Sequence, residues 1–357
     1  MTRETRKSDF FSFRKIASVD AGDNGETADF FVRMAQAEAH RRRFAESDVR
    51  EILSMGGAFA VSALAPISTW SAYCDGAARF RLAKARRKQL EALAIRAAAI
   101  LDMRDADQVR KLHEDWRAHQ MRRRLAITAE FTRGKRTVDL SSQGLEHVKS
   151  SLKAGKGAIL WANQFATQTL FGKRVLWNEG LKPVQISVEQ HGFSHSSFGI
   201  RTLNKVVLSA EDRYLADRLT FDRDDGAAVT RKILNLLDDG ALIIITNNSF
   251  SGSSFVEVPL VEGAYMSMAT TALSMATRRG TPLHAMNAIE TEPFKSYRAD
   301  FSPALNDMAA PARLGKGRDN EAMARLALKA GEYMLEGIHK APEQFLGWFS
   351  ITTSRFV

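Results

Sequence analysis

From residue 134 onward, short runs of consecutive apolar residues alternate with stretches of helical spacing. This alternation limits the possible folds more than any other feature of the chain. The runs lie at 158–162, 184–188, 241–246 and 282–288, with shorter ones at 137–140 and 205–208. Helical spacing occupies 144–152, 167–179, 226–237 and 266–278. A strand that is apolar at every position needs cover on both faces, and intervening helices supply it. The pattern predicts an α/β domain: an open, mostly parallel sheet flanked by helices. Ligands of such sheets bind beyond the carboxyl ends of the strands. That rule places Asn163 and Gln164 after one strand, and Asn247 and Asn248 after another, at a candidate site.

The first third reads differently. Residues 1–26 are polar and suit a flexible leader, with no apolar core of a secretory signal. Residues 29–44 have helical spacing, and 77–131 are strongly helical, with Leu90, Leu93, Ile95, Ala99 and Leu101 recurring on one face. Asp105 or Asp107 suits the start of a helix. The expected division is a leader over 1–26, a basic helical region over 27–133 and the α/β domain over 134–357.

Charge separates these regions as well. Through Arg136 there are 27 Lys and Arg against 18 Asp and Glu, and thereafter 24 against 23. A basic helical segment suits anionic lipid, an acidic carrier protein or nucleic acid. No zinc-finger or RNA-recognition pattern is present, so nucleic acid is not the expected partner. Residues 52–74 hold no charged side chain over 23 positions, with basic residues on both flanks. Gly56, Gly57, Pro66 and several hydroxyl residues dilute that stretch. It can lie on a membrane surface, fold into a buried hairpin or span a bilayer. Cys74 is the single cysteine, which excludes an internal disulfide and suits a reducing compartment.

Four stretches carry a family resemblance: LEHVKSSLKAGKGAILWANQF over 145–165, AVTRKILNLLDDGALIIIT over 228–246, VEVPLVEGAYMSMATTALSMATRRGTPLHA over 256–285, and APEQFLGW over 341–348. In this order they resemble the lipid A biosynthesis (lauroyl/myristoyl) acyltransferase branch of the lysophospholipid acyltransferase superfamily. The resemblance implies transfer of an acyl chain from acyl carrier protein or acyl coenzyme A to a hydroxyl, with no further cofactor. It also implies a peripheral position at the inner, cytoplasmic face of the cell membrane.

The chemistry departs from that pattern. The family's first motif is His-x4-Asp/Glu, a general base and the acid that orients it. Anchored on Phe165, these positions hold Gln164 and Thr169, and Asn247 stands where the second motif begins with Asp. None of the eight His residues is followed five positions later by Asp or Glu. Gln164 can hydrogen-bond a substrate but cannot take its proton. One reading is catalysis rebuilt on His191, just past a predicted strand edge, with Glu189 orienting it; another leaves His191 and His195 as loop residues. An amine acceptor needs only positioning, by Asn163 and Gln164. The remaining reading is a non-catalytic homologue that binds an acyl chain or its carrier. Gly263 falls in the resembling third stretch and is a substrate-binding candidate. Arg201, or Lys173 and Arg174, suit a carrier phosphate. Residues 249–254, SFSGSS, suit a thioester carbonyl or a phosphate, or form a flexible loop. Met266, Met268, Leu273 and Met275 suit an acyl channel or ordinary core. No cluster has metal-ligand spacing.

Overall fold

The computed structural model describes residues 7–8, 11–20, 27–34, 43–79, 83–189, 191–221, 226–247, 253–306 and 316–355. Its first elements are strands, β1 (Lys7–Ser8), β2 (Phe11–Asp20) and β3 (Thr27–Arg33). The expected leader is therefore strand across its described part, and β3 replaces the start of the helix expected over 29–44. Phe13, Ala28, Phe30 and Phe31 are all buried. Adjacent positions of β3 face two covered sides, so the alternation that marks a half-exposed strand is absent. Buried Asp29 accepts a hydrogen bond from the Ser18 hydroxyl at 2.6 Å and faces Lys15 Nζ at 2.7 Å.

Four helices follow: α1 (Glu46–Leu64), α2 (Trp70–Arg79), α3 (Ala83–Leu101) and α4 (Ala106–Arg133). Asp105 caps α4, accepting from the backbone N–H groups of Asp107 and Gln108 at 3.1 and 2.8 Å. The uncharged stretch 52–74 is a helical hairpin turning at Ala65–Pro66. It buries Met55, Ala58, Trp70 and Cys74 in one cluster with Leu125, Ala126 and Ala129 of α4. No helix among the described residues is long and apolar enough to cross a membrane.

The α/β part contains β4 (Asp139–Gln143), α5 (Leu145–Lys153), β5 (Ala158–Ala162), α6 (Lys173–Asn178), β6 (Val184–Val188), α7 (Ser197–Arg201), α8 (Leu203–Asp212), β7 (Asp217–Phe221), α9 (Gly226–Asp238) and β8 (Leu242–Thr246). It continues with β9 (Ser254–Val261), β10 (Ala264–Ala269), α10 (Thr270–Arg279), β11 (Leu283–Glu292), β12 (Ser296–Phe301), α11 (Lys316–Lys340) and β13 (Ile351–Thr352). One sheet has the order β4-β12-β11-β5-β8-β6-β7. All its pairings are parallel except that of β11 with β12. This is the expected open sheet. In the turn entering β5, Gly157 has φ +61°, and a Cβ there would lie 2.8 Å from the carbonyls of Leu237 and Ala241. Only glycine tolerates both conditions.

Two expected elements change type. Residues 205–208 belong to α8, where Leu203, Val206, Val207 and Ala210 bury one helical stripe. Residues 266–269 belong to β10 rather than to a helix, so Met266 and Met268 stand on a strand and Leu273 and Met275 on α10.

A second, antiparallel sheet has the order β1-β2-β3-β9-β10-β13. It joins the N-terminal strands to segments of the α/β half, so the boundary expected at 134 does not divide the structure. β3 pairs with β9 only over Ser254 to Glu257. Pro259 lies past that pairing, where its missing N–H breaks no bond to β3. Helices α10 and α11 contact strands of both sheets, and a single apolar cluster runs from Phe30 and Val256 through Met334 and Ile338 to Trp161.

Candidate functional site

The carboxyl ends of the central strands carry three buried amides. The Asn247 side chain donates to Asn163 Oδ1 at 2.7 Å, and the Asn163 side chain donates to Asn287 Oδ1 at 2.7 Å. Asn287 in turn donates to the Tyr333 carbonyl of α11 at 3.1 Å. Asn163 and Asn247 thus meet, but Asn247 spends its donor on Asn163 and Asn163 spends its own on Asn287, and Met334 packs at 3.7 Å from the Asn247 amide. α11 comes so close at Gly337 that a Cβ there would lie 2.6 Å from Asn287 Nδ2.

The APEQFLGW segment closes this edge from the other side. The Leu346 N–H donates to the Gln164 carbonyl at 2.7 Å, and the Ala166 N–H to the Gln344 carbonyl at 2.8 Å. The Gln344 side chain pairs with the Glu290 backbone in both directions, at 2.7 and 2.8 Å. Trp116 Nε1 donates to the Phe345 carbonyl at 2.9 Å. Gln164 is half-buried beneath this segment. Thr169 is buried in a single wide helical turn, Gln168–Gly172, where the Gly172 N–H reaches back to the Thr167 carbonyl at 3.3 Å. Such turns recur at functional sites.

The other candidates lie elsewhere. His191 Nε2 is 3.0 Å from Glu211. Glu211 is wholly buried and also meets Lys173 Nζ at 2.6 Å and Arg218 Nη2 at 2.8 Å. These cations outweigh the desolvation that opposes ionisation, and hold the carboxyl well below the usual carboxylate range. Lys173 is therefore occupied. Arg174 faces Glu130 at 3.4 Å, so neither awaits a carrier phosphate. His195 and Arg201 are exposed. Gly263 occupies the β9–β10 turn of the other sheet, with open space about it. Asn248 and most of the SFSGSS segment lie outside the described residues.

A cavity appears at a place the sequence did not indicate. It lies beside the wide turn and is lined by His119, Arg122 and Arg123 of α4, Ala166, Thr167, Leu170 and Phe171, and Glu290 of β11. The space is small, on the order of one water molecule. His119 Nδ1 is 3.6 Å from Glu290 Oε2, and its Nε2 is 3.9 Å from Glu343 Oε1. Burial, aided by the Arg122 charge, holds His119 down to about 3. Burial pushes the Glu290 carboxyl up, against the Phe294 N–H and Arg122, which favour its charge. The available signal was the polar stretch 117–124 between Trp116 and Leu125: on a helix whose apolar residues are buried, some of its His and Arg residues must be buried with them. Among the described residues no three His, Cys, Asp or Glu side chains converge in a way that could hold a metal ion. Comparison with protein-family models and with curated proteins finds no match.

Proposed function

We propose that the chain is an acyltransferase-like protein that moves an acyl chain from acyl carrier protein or acyl coenzyme A to a hydroxyl or amine acceptor. Its acid–base pair is His119 and Glu290, not the residues at the family's usual positions. The observation that carries this reading is the cavity itself. It brings a histidine and a carboxylate from two distant elements beside the 164–169 segment, where the resembling family keeps its own pair. In that arrangement the acceptor attacks the thioester carbonyl as His119 takes its proton. The carbon–sulfur bond breaks, and the imidazolium returns the proton to the departing thiolate. The peripheral membrane position belongs to the same proposal, supported by the apolar side chains that the α1–α2 hairpin leaves exposed.

A second reading, a non-catalytic homologue that binds an acyl chain or its carrier, is favoured by a different observation. The strand edge at Asn163, Asn247 and Asn287 is filled by its own amides and closed by the C-terminal segment. Mass spectrometry of the purified chain with long-chain acyl carrier protein, acyl coenzyme A and hydroxyl and amine acceptors separates the two. The first reading expects product that disappears in His119→Ala and persists in His191→Ala. Donor binding without turnover on any acceptor supports the second, and absence of both donor binding and product overturns both.

A further inference from the structure

We infer that the cavity between α4 and β11 binds a small oxyanion group, a phosphate or a carboxylate, received by the guanidinium groups of Arg122 and Arg123. The inference deepens the reading of this cavity as the reaction site, but it concerns binding alone and is tested without turnover.

The charges around the cavity do not balance. Arg122 meets Glu290 at 3.3 Å and Asp75 at 3.6 Å, and its Nε is buried without a hydrogen-bond partner. Arg123 forms no ion pair among the described residues, and its Nε is likewise buried and unpartnered. Its guanidinium lies 5.4 Å from the centre of the Phe193 ring. The acid that acts on it from a distance, Glu211, already touches Lys173, Arg218 and His191. Arg122 is thus answered by Glu290 and Asp75, whereas no carboxylate touches Arg123, and the histidine of the cavity is held neutral. A buried cation without a partner is unfavourable, and breaking up such a charge set from one side is strongly so.

An oxyanion completes the set. The forked N–H donors of arginine match the oxygens of phosphate or carboxylate better than any other side chain does. The apolar wall of Ala126, Ile127, Leu170 and Phe171 keeps water away from them and strengthens the attraction. The space accommodates about one ligand oxygen, with the rest of the ligand at the mouth. A bound anion also opposes the Arg122 charge that disfavours protonation of His119, so binding and proton transfer are linked in the same few ångströms.

The test is isothermal titration of the full chain with inorganic phosphate and with acetate at constant ionic strength, alongside thermal melting. Saturable binding of either anion is expected, with the tighter one identifying the ligand group. Arg123→Gln should weaken it on the order of tenfold or more, the loss of one charged hydrogen bond, and Arg123→Lys should retain part of it. Without anion, Arg123→Met should melt no lower than the native chain, because it removes a half-buried guanidinium that has no carboxylate partner and a buried, unpartnered Nε. No saturable binding of either anion overturns the inference, as does unchanged binding by Arg123→Gln. A sharp drop in the melting temperature of Arg123→Met without anion also overturns it, since Arg123 would then be a structural cation.

Discussion

Glu211 has no solvent-exposed side-chain surface and two cationic neighbours, so its removal strands Lys173 and Arg218 inside the fold. Glu211→Gln is expected to lower stability by about 3–5 kcal/mol in urea denaturation. His119 gives a second expectation, in pH. Its folded form is held at about 3, below the ordinary 6.5. Between those values the unfolded chain binds a proton that the folded chain does not, so stability falls as pH drops from 6.5 toward 3. The slope from this group is at most about 1.4 kcal/mol per pH unit. Denaturation of His119→Gln near pH 5 and pH 7 should show a shallower loss on the acid side. Glu290 has the opposite sign: its raised carboxyl adds stability at low pH that is lost as pH rises above its ordinary 4.5. At this scale the sequence was partly legible. Asn163 and Asn247 were placed together by the rule for strand ends. His191 was visible as a polar residue past a strand, but its partner Glu211 belongs to α8, and spacing favoured the nearer Glu189. His119 and Glu290 come from elements whose approach only the tertiary fold determines.

The hairpin of α1 and α2 leaves Leu53 at 72% and Leu64 at 84% exposure, with Val49, Ile52 and Ile67 also open to solvent. Arg43 and Arg50 lie close by in sequence. Apolar anchors beside basic residues suit the surface of an anionic bilayer. The chain should float with phosphatidylglycerol-containing vesicles, and Leu53→Glu combined with Leu64→Glu should abolish flotation while leaving the melting temperature within about a degree or two, since both sites are exposed. Flotation of the double variant at the native level would remove the hairpin from membrane binding. The uncharged run 52–74 was legible as an apolar segment, and its hairpin form was one of the expected alternatives. The side that faces α4 was not, because Gly, Ala and Ser on both faces blur the stripe. At 205–208 a β-branched pair suggested a strand, and burial of a stripe four residues apart made it helix instead.

Across the whole molecule, the parallel sheet was legible from its apolar runs, because each run reports its own burial. The antiparallel sheet was not. Its ladder joins residues 11–33 to 254–269 and 351–352, and no local pattern announces a partner so distant in the chain. The C-terminal segment ties both halves. Trp348 is fully buried and donates from Nε1 to the Pro342 carbonyl at 2.9 Å. Trp348→Ala should lower stability by about 3–5 kcal/mol in chemical denaturation, and it should also weaken any ligand held at the cavity, because the same segment fixes Gln344 against Glu290. The pairing of β3 with β9 bears on biosynthesis. As the polypeptide leaves the ribosome, Phe30 and Phe31 emerge long before Phe255, the ring on which Phe31 stacks. Until Ser254 to Glu257 have been translated, one edge of β3 has only foreign strands available to it. The nascent chain therefore depends on chaperone shielding or rapid translation through its middle, and slow synthesis should send it into aggregates rather than into a stable half-molecule.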